Sequence, residues 1–441
     1  MRALRVAVVG SGPAGVFCAE TLTEDPGFEV DVDVFERLPT PFGLVRYGVA
    51  PDHQKIKSII ASLSEVFETP KVRFLGNITV GTDITVDELR SHYDAVVIAY
   101  GAPLDRRLGV PGEQLPGVIA ARNFVSWYSG HPDASFDPAA LTGERAAVIG
   151  VGNVALDVAR MLVRTPDELR RTDVPEHVVE ALDGHPVREV CVIGRRGPEH
   201  AKFTHKELLE LAGVEGADIV VDPEDLRPTE ERRAAVAARP ATARLLSTLE
   251  KIAARPPAHR SRTVRFLFDR TPVGFLGEAS LTGVSLAHTS DPSRVEVLPT
   301  ELVLPAVGYR SAPLAGVPFD EASGTVPHTD SRVIAGGTAV PGLYVVGWAK
   351  RGPSGVIGTN RLCASETAAA VLADAAEREG GTGRGPDAVD DLLRSRGAVV
   401  VDWKGWLAIE ATEAALGSPN GRGRVKLHDR TGLLTAAGLS V

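Results

Sequence analysis

The sequence predicts an α/β fold with two three-layer domains of βαβ type. Twice along the chain, an apolar strand pattern runs into a glycine-rich turn and then into a helix pattern, at residues 4–23 and 146–163. With 441 residues, the chain is also too long for one ordinary core, which suggests two or three domains. A composition of 44% hydrophobic and 24% charged residues is typical of soluble globular proteins. Each βαβ unit therefore predicts a Rossmann-like nucleotide-binding domain.

The first glycine-rich turn has the spacing G-x-G-x-x-G at Gly10, Gly12 and Gly15. Gly10 permits the tight turn, Gly12 lets the backbone approach a pyrophosphate, and Gly15 lets the helix pack on the strand. The next strand ends at Glu36, where a carboxylate can accept hydrogen bonds from ribose hydroxyls. Strand, turn, helix and acid together predict a nucleotide site, and the alternative is a purely structural turn. The candidate contacts are Gly10, Gly12, Pro13, Ala14, Gly15, Glu36, Arg37 and Gly101, the last of which follows the apolar strand 95–99.

The second glycine-rich turn places Gly150, Gly152 and Ala155 at the three small-residue positions. Its second strand ends in Arg195 and Arg196 instead of an acid. Two guanidinium groups would bind a 2′-phosphate that a carboxylate would repel, so this unit favours NADP over NAD. The alternative is that both arginines are solvated surface residues.

The spacing within the second unit is unusual. Forty residues separate Ala155 from Arg195, whereas about 20 is usual, so we interpret residues 164–186 as an insertion. Two nucleotide sites on one chain suggest a bound flavin that a diffusible nicotinamide nucleotide reduces. We expect FAD in the first unit and NADP(H) in the second.

The cysteine content excludes several kinds of site. Cys18, Cys191 and Cys363 lie far apart in the sequence, which excludes a CxxC redox pair, a cysteine-rich zinc site and a four-cysteine iron–sulfur cluster on this chain. We expect no metal. Few cysteines also fit a reducing compartment, and we see no targeting peptide before the first strand, so we expect a cytoplasmic protein.

The charge is unevenly distributed along the chain. The net charge is −9, yet residues 227–270 contain 11 Lys or Arg and 4 Asp or Glu, a net charge of +7. This pattern indicates a local docking surface and not general nucleic-acid binding. No stretch approaches the roughly 20 apolar residues of a membrane-spanning helix, so we expect no integral membrane segment.

Three segments resemble the adrenodoxin reductase family, in particular its bacterial NADPH–ferredoxin reductases. They are PFGLVRYGVAPDH (41–53), RRGPEHAKFTHKEL (195–208) and GWAKRGPSGVIGT (347–359). The resemblance is collinear from about residue 4 to residue 440. It implies a glutathione-reductase-like fold in which an NADP-binding domain (106–329) is inserted into a split FAD-binding domain (1–105 and 330–441).

The resemblance also implies an activity. A hydride would pass from NADPH to FAD, and single electrons would then pass to a ferredoxin that supplies cytochrome P450-type or other redox enzymes. The enzyme would be an FAD-dependent ferredoxin–NADP(+) reductase. Because this chain has too few cysteines for a fused ferredoxin module, the acceptor would be a separate, acidic ferredoxin. We expect the reductase to be a monomer.

Site residues follow from the same resemblance. Leu44 resembles the segment that covers the flavin, and His53 and Glu210 resemble a pair near the flavin to which a proton path is assigned. His53 could instead only hold its loop. The C-terminal FAD loop would comprise Trp348, Gly355, Val356 and Ile357, with Gly358 and Thr359 near the nicotinamide. The NADP contacts would be Asn153, Val154, Arg195, Arg196 and Glu207, in addition to the second turn.

The basic segment supplies candidate docking residues. Arg239 and Arg244 resemble docking arginines of the family, and Lys251 and Arg255 follow on a helix-like stretch. Spacings of 5, 7 and 4 do not all fall on one helix face, so at most a subset can dock. The alternative is a solvated helix face.

Other functions remain open from the residues alone. A quinone reductase or diaphorase would share both glycine turns but would not depend on the basic segment. A redox-sensing protein would bind both cofactors without turnover, and a structural protein with vestigial turns would purify colourless. A disulfide reductase is disfavoured because no redox cysteine pair is present.

Overall fold

The computed structural model describes residues 4–377 and 386–440. The strands, numbered in chain order, are β1 (Leu4–Val9), β2 (Val30–Glu36), β3 (Val72–Gly76), β4 (Ala95–Ile98), β5 (Leu104–Asp105), β6 (Arg145–Ile149), β7 (Glu189–Ile193), β8 (Ala217–Val221), β9 (Arg262–Leu267), β10 (Arg270–Leu276), β11 (Gly283–His288), β12 (Val295–Pro299), β13 (Leu302–Pro305), β14 (Tyr309–Arg310), β15 (His328–Thr329), β16 (Arg332–Ala335) and β17 (Thr338–Val345).

The α-helices, also in chain order, are α1 (Pro13–Glu24), α2 (Leu44–Tyr47), α3 (Gln54–Lys57), α4 (Ile59–Phe67), α5 (Val86–His92), α6 (Ala121–Tyr128), α7 (Asn153–Val163), α8 (Pro166–Arg170), α9 (Glu176–Asp183), α10 (His205–Ala212), α11 (Glu230–Ala238), α12 (Pro240–Ala253), α13 (Trp348–Arg351), α14 (Thr359–Ala376), α15 (Pro386–Ser395), α16 (Trp403–Gly417) and α17 (Arg430–Ala436). Short 3₁₀ turns lie at Pro138–Ala140, Pro198–His200, Pro223–Leu226 and Ser418–Asn420. Among the described residues, none of the helices combines the length and the apolar character needed to cross a membrane.

The chain forms two compact units. Unit 1 comprises the described residues of 1–49, 53–105 and 308–441, and unit 2 comprises residues 50–52 and 106–307. Residues 50–52 belong to unit 2 because Asp52 accepts hydrogen bonds from Arg160 Nε (2.5 Å) and Arg164 Nη2 (2.6 Å).

The end of unit 2 differs from the boundary that the sequence suggested. Residues 308–329 cluster with unit 1, whereas the sequence analysis placed them in the inserted domain. The reason is that β14 pairs with β5, Tyr309 opposite Asp105, and that Val317 and Val326 share a core with Ile98. A two-residue strand is too short to give a period-2 pattern, so the sequence alone does not predict that the chain re-enters unit 1 at β14.

Unit 1 has a seven-stranded sheet in the order β15-β16-β17-β4-β1-β2-β3. Within this sheet, β17, β4, β1, β2 and β3 run parallel to one another. Val6 and Val8 face a core shared with α1, α4, α14 and α16, whereas Ala7 and Val9 face a second core with α5 and α15. Since neighbouring strand residues point to opposite faces, both faces are covered and the unit has three layers.

Unit 2 has a parallel five-stranded sheet in the order β13-β6-β7-β9-β8. Ala146 and Val148 face a helical layer that includes α7, α10 and α12. Ala147 and Ile149 face the antiparallel sheet β10-β11-β12, through residues such as Val284. The third layer of this unit is therefore a β-sheet, which the sequence analysis left unspecified.

The segment interpreted as an insertion contains two helices, α8 and α9. The first begins with a capping box, in which the Thr165 side chain accepts from the Glu168 N–H and the Glu168 side chain accepts from the Thr165 N–H. Leu169, Val178 and Val179 are buried in the helical core of unit 2. These two helices, which lie between α7 and β7 in the sequence, thus extend the helical layer of unit 2.

Candidate functional site: two nucleotide-binding turns

The first glycine turn joins β1 to α1, and its three glycines have different roles. Gly10 has φ +112°, and a Cβ there would lie 2.6 Å from the Ala99 carbonyl oxygen. A Cβ on Gly15 would lie 2.1 Å from the Gly10 oxygen. A Cβ on Gly12, by contrast, would meet no described atom within 4 Å. The chain itself requires Gly10 and Gly15, whereas Gly12 leaves open space that a ligand can occupy.

Helix α1 starts at this open space. Gly12 is the N-cap, Pro13 occupies the first turn, and no side chain caps the helix. Proline at this position loses no hydrogen bond because its N–H would be unpaired in any case. The remaining N–H groups and the positive end of the 12-residue helix can therefore bind an anion such as a pyrophosphate.

Glu36, at the end of β2, is fixed beside the turn. Its Oε2 accepts from the Ser11 N–H (3.1 Å) and the Ser11 hydroxyl (2.6 Å), and its Oε1 accepts from the Leu38 N–H (3.0 Å). A carboxylate has about four acceptor positions, so one remains on Oε1 for a ribose hydroxyl. Arg37 follows as an exposed residue.

The segment Phe42–Tyr47 lies against the first turn and is called the cover segment below. The Phe42 N–H donates to the Ser11 carbonyl (3.1 Å). A Cβ on Gly43 would lie 3.2 Å from the Gly12 Cα. Leu44, the first residue of α2, is 41% exposed although it is apolar. The cover segment therefore packs on the backbone of the first turn at Ser11 and Gly12, and its role in covering a flavin stays a prediction.

The C-terminal loop 347–359 also reaches this place. Gly347 has φ +72°, and a Cβ there would lie 2.6 Å from the Ala14 Cβ, so the loop packs on the start of α1. Trp348 donates from Nε1 to the Ser354 carbonyl (3.2 Å), and its ring stacks on Tyr309 at 5.9 Å between centroids.

The same loop ends at the start of α14. The Thr359 hydroxyl accepts from the Val356 N–H (3.1 Å), and Gly358 is the N-cap. Gly355 has φ +82°, and a Cβ there would lie 2.8 Å from the Thr359 Oγ1. Ile357 is half-buried against the core of unit 1.

These residues fit FAD. A Cβ on Gly12 or on Gly101 would meet no described atom within 4 Å, which leaves room at the turn and at the end of β4. Leu44 and Val356 are apolar yet 41% and 70% exposed. Exposed apolar side chains are typical of a binding surface, and the flat dimethylbenzene end of an isoalloxazine ring is an apolar group that would cover them.

The second glycine turn repeats this geometry in unit 2. Gly150 has φ +137°, and a Cβ there would lie 2.4 Å from the Ala306 carbonyl oxygen, whereas a Cβ on Gly152 would meet nothing within 4 Å. Ala155 is fully buried at the third position. Asn153 begins α7, and its side-chain oxygen accepts from the Thr204 N–H (2.9 Å). The half-buried Val154 packs against the helical core.

Arg195 and Arg196 are exposed at the end of β7. Their backbone is fixed, because the Arg195 carbonyl accepts from the Thr289 hydroxyl and the Arg196 carbonyl accepts from the Asp269 N–H (3.3 Å). Neither guanidinium forms an ion pair with a residue that the structure describes. Two exposed guanidinium groups on a fixed backbone, with no ion pair among the described residues, suit a phosphate group.

Glu207 lies in an internal charge network of unit 2. Its Oε2 is 3.5 Å from Nη1 of Arg160, which also binds Asp52 and Asp157. Burial alone would lower the pKa of Arg160, but the charges of Asp157 and Asp52 raise it above its ordinary value. This network accounts for Glu207 without a nucleotide, so its role as an NADP contact stays a prediction.

His53 and Glu210 belong to different units. The His53 carbonyl accepts from the N–H groups of Ile56 (3.0 Å) and Lys57 (3.1 Å) at the start of α3. These are backbone bonds, so they assign no role to the His53 side chain. Glu210 lies in α10, 3.5 Å from the Lys206 ammonium. The proton path assigned to this pair stays a prediction, as do the nicotinamide contacts of Gly358 and Thr359, which lie in unit 1.

Lys202 is a residue that the sequence analysis missed as a site residue. Its N–H donates to the carbonyl of Val151 (2.7 Å), which lies between Gly150 and Gly152 in the second turn. Its side chain is exposed and forms no ion pair within the described ranges. The quoted motif RRGPEHAKFTHKEL contains Lys202, but only the backbone bond places it beside the turn.

The docking candidates lie on α12 and at its start. Arg239 is the N-cap, and Arg244 and Lys251 are seven residues apart on the helix, which places them on one face. All three side chains are exposed, and none has an ion pair among residues 4–377 and 386–440. Leu245, Leu249 and related residues bury the opposite face. The subset that can act together on the helix is therefore Arg244 with Lys251.

The cysteines are free and buried. Burial raises the pKa of Cys18 and of Cys191 to about 12. Neither is a thiolate at neutral pH, and only the thiolate attacks a disulfide. This observation weighs further against a disulfide reductase.

Comparisons with known proteins agree with this geometry. A family model described as pyridine nucleotide-disulphide oxidoreductase matches residues 4–195. The chain is 42% identical over 458 residues to the NADPH-ferredoxin reductase FprA of Mycobacterium tuberculosis (strain ATCC 25618 / H37Rv), covering 98% of this chain and 99% of FprA. It is 40% identical over 464 residues to the mitochondrial NADPH:adrenodoxin oxidoreductase of Arabidopsis thaliana, with 99% and 96% covered.

The chain belongs to the adrenodoxin reductase family. A solved structure of Mycobacterium tuberculosis FprA in complex with NADPH superposes with a TM-score of 0.93 and 41% identity, over 99% of this chain and 100% of that one. The predicted family and fold class are confirmed, and so is the predicted class of enzyme, a ferredoxin–NADP reductase.

Proposed function

We propose that this member of the family is an NADPH–ferredoxin oxidoreductase that binds FAD in unit 1 and NADPH in unit 2. The observation that carries the proposal is the pair of open glycine turns, one beside the fixed carboxylate of Glu36 and the other beside the unpaired Arg195 and Arg196. When bound, FAD supplies the redox chemistry, since it accepts a hydride and releases electrons one at a time. The protein binds, orients and shields the reactants.

In unit 1, each group has a separate task. The N–H groups at the start of α1 bind the FAD pyrophosphate, and Gly12 lets it approach. Glu36 accepts a ribose hydroxyl on its remaining position. Leu44, Trp348 and Val356 supply the apolar surface for the flavin ring.

In unit 2, the charges select NADPH. Arg195 and Arg196 bind the 2′-phosphate, which NADH lacks. We assign the exposed ammonium of Lys202, whose backbone is bonded to Val151 of the second turn, to the pyrophosphate. The three cations are exposed, so the nucleotide can enter and leave without rearrangement of the unit.

We assign proton handling at the flavin to His53 and Glu210. Histidine is the side chain that changes its charge nearest to neutral pH. Hydride transfer itself requires geometry and not an acid, so loss of His53 should slow turnover without abolishing it.

The partner in this proposal is an acidic ferredoxin that docks on Arg244 and Lys251, which share one face of α12, and on Arg239 at the N-terminal end of this helix. Electron-transfer complexes are small and depend on complementary charge, and these cations are exposed and unpaired among the described residues. Reversing Arg239 and Arg244 to Glu should slow ferredoxin reduction and leave ferricyanide reduction unchanged. A parallel loss of both activities would refute the docking assignment.

We place the enzyme in the cytoplasm as a monomer. Its three cysteines are free and buried, which suits a reducing compartment. Elution of the purified holoenzyme at the mass of a dimer would contradict the monomer.

The activity is tested by NADPH-driven cytochrome c reduction with and without a purified [2Fe–2S] or other low-potential ferredoxin, at low and at high salt. A large rate that depends on ferredoxin and falls with salt is expected, because salt screens the docking charges. A rate indifferent to ferredoxin would contradict the proposal, and quinones would then be tested as acceptors.

A further inference from the structure

The cover segment is tied to the C-terminal part of unit 1 by a buried ion pair. The Arg46 guanidinium binds the Glu413 carboxylate through two hydrogen bonds, one of 3.1 Å, between residues 367 positions apart. The side chains are 2% and 0% exposed. Burial alone would lower the pKa of Arg46, but Glu413 raises it above its ordinary value, so the guanidinium stays charged.

The partners of this pair are held in place. The Glu413 Oε1 also accepts from the Leu427 N–H (3.0 Å), and the Lys426 ammonium donates to the Arg46 carbonyl (2.7 Å). The Arg46 guanidinium lies 5.1 Å from the centre of a ring of Trp406. Both the side chain and the backbone of Arg46 are therefore fixed by residues of 403–427.

The cover segment is also strained. Phe42 has φ +77° and Gly43 has φ +48°. A bulky residue rarely adopts positive φ, and such a conformation persists only where the surroundings impose it. The surroundings here are again C-terminal, since the Phe42 ring makes edge contacts with Trp403 (6.4 Å) and Trp406 (5.8 Å).

We propose that Trp403, Trp406, Glu413 and Lys426 form a C-terminal clamp that holds the cover segment closed over FAD. The inference rests on the proposed binding of FAD in unit 1. Arg46 and Glu413 are positioning residues, because they are buried and act through Phe42, Gly43 and Leu44. Without the ion pair, the strained backbone relaxes away from Gly12 and FAD dissociates faster.

A buried ion pair can also be a stabilising contact only, so the test needs a matched control. Unit 1 provides one in Asp33, a buried carboxylate that binds Arg5 (3.1 Å), Arg73 (2.7 Å) and the Tyr93 hydroxyl (2.6 Å). Glu413→Gln and Asp33→Asn make the same chemical change in two buried networks of one unit. Of the two carboxylates, Glu413 is the one bonded to the cover segment.

The experiment measures FAD release and denaturant unfolding for the wild-type holoenzyme and both variants, with FAD fluorescence as the readout. We expect Glu413→Gln to release FAD at least tenfold faster than wild type, whereas Asp33→Asn is destabilised but keeps the wild-type rate of release. Equal rates for the two single variants, or a wild-type rate in Glu413→Gln, would overturn the clamp.

Two further arms keep the test decisive. If Glu413→Gln does not fold, Arg46→Lys takes its place, because lysine keeps the charge but cannot form the bidentate pair with Glu413. This variant should release FAD several-fold faster than wild type. A wild-type rate of release would overturn the clamp. A wild-type protein that binds no FAD would instead refute the proposed function, so the two failures are distinguishable.

Discussion

The two glycine turns use the same backbone geometry in different surroundings. Gly10 and Gly150 have φ values of +112° and +137°, and the positions of Gly12 and Gly152 are both open. The first turn is covered by Phe42–Tyr47, which the C-terminal clamp holds, whereas exposed cations flank the second. Under the proposed function, the turn determines where a pyrophosphate binds, and its surroundings determine which nucleotide binds and how long it stays. The first suits a resident cofactor and the second an exchanging one.

The largest effect is expected from the charges that distinguish the turns. Replacing Arg195 and Arg196 together by Ala should weaken NADPH binding by roughly 1.5–3 kcal/mol for each lost charge-assisted bond and should spare NADH. Titration of the holoenzyme with both nucleotides measures the difference. Equal losses for NADPH and NADH would refute the 2′-phosphate assignment.

A methyl group at each open position should separate the two sites. Gly12→Ala should weaken FAD binding and Gly152→Ala should weaken NADPH binding, each by about 1–3 kcal/mol, because the added Cβ occupies space that the pyrophosphate needs. Neither Cβ meets a described atom within 4 Å, so the apoproteins of both variants should unfold at the denaturant concentration of the wild-type apoprotein. Loss of both nucleotides in either variant would show that the sites are not independent.

Lys202 sharpens the comparison within the second site. Lys202→Met should weaken NADPH and NADH binding equally, by about tenfold or 1.4 kcal/mol, because the pyrophosphate is common to both. The affinities of NADPH and NADH are compared in the same titration, with Lys251→Met as an exposed control. A loss confined to NADPH would reassign Lys202 to the 2′-phosphate.

The smallest effect concerns the pH dependence of unit 2. Burial, and then the charge of Arg262, lowers the pKa of His185 to about 3. In the unfolded chain the His185 imidazole binds a proton near pH 6.5, whereas in the folded chain it does not. The free energy of unfolding should therefore decrease as the pH falls below 6.5, by roughly 1 kcal/mol per pH unit. Urea unfolding at pH 7.5 and 5.5 should show a smaller loss in His185→Leu than in wild type. An unchanged pH dependence would contradict the assignment.

Local features of the fold and the sites could be predicted from the sequence. The second strand of the second unit, predicted to end at Arg195 and Arg196, is β7 (Glu189–Ile193), because a short apolar run between polar residues has little choice of boundary. Gly10, Gly12 and Gly15 were each assigned a reason, and the structure shows steric need at Gly10 and Gly15 and open space at Gly12.

Long-range features could not be predicted. Glu413 lies 367 positions from Arg46, and one sequence contains no pattern that relates two such residues. Lys202 lies beside the second turn through a backbone bond to Val151, and any residue but proline could make that bond. Residues 54–67 form two helices, α3 and α4, with Ser58 between them, although no proline or glycine interrupts this stretch. Such outcomes depend on tertiary packing, which local propensity does not report.

The position of β17 in the sheet has a consequence for biosynthesis. This strand pairs with β4 near the centre of unit 1, although 239 residues separate Ile98 from Thr338, and all of 106–307 lies between. On the ribosome, unit 2 is complete before β17 has been translated, so it can fold first. The N-terminal strands must wait for β17 and then for α16. We therefore expect the nascent chain to acquire its flavin only after the last helices have left the ribosome.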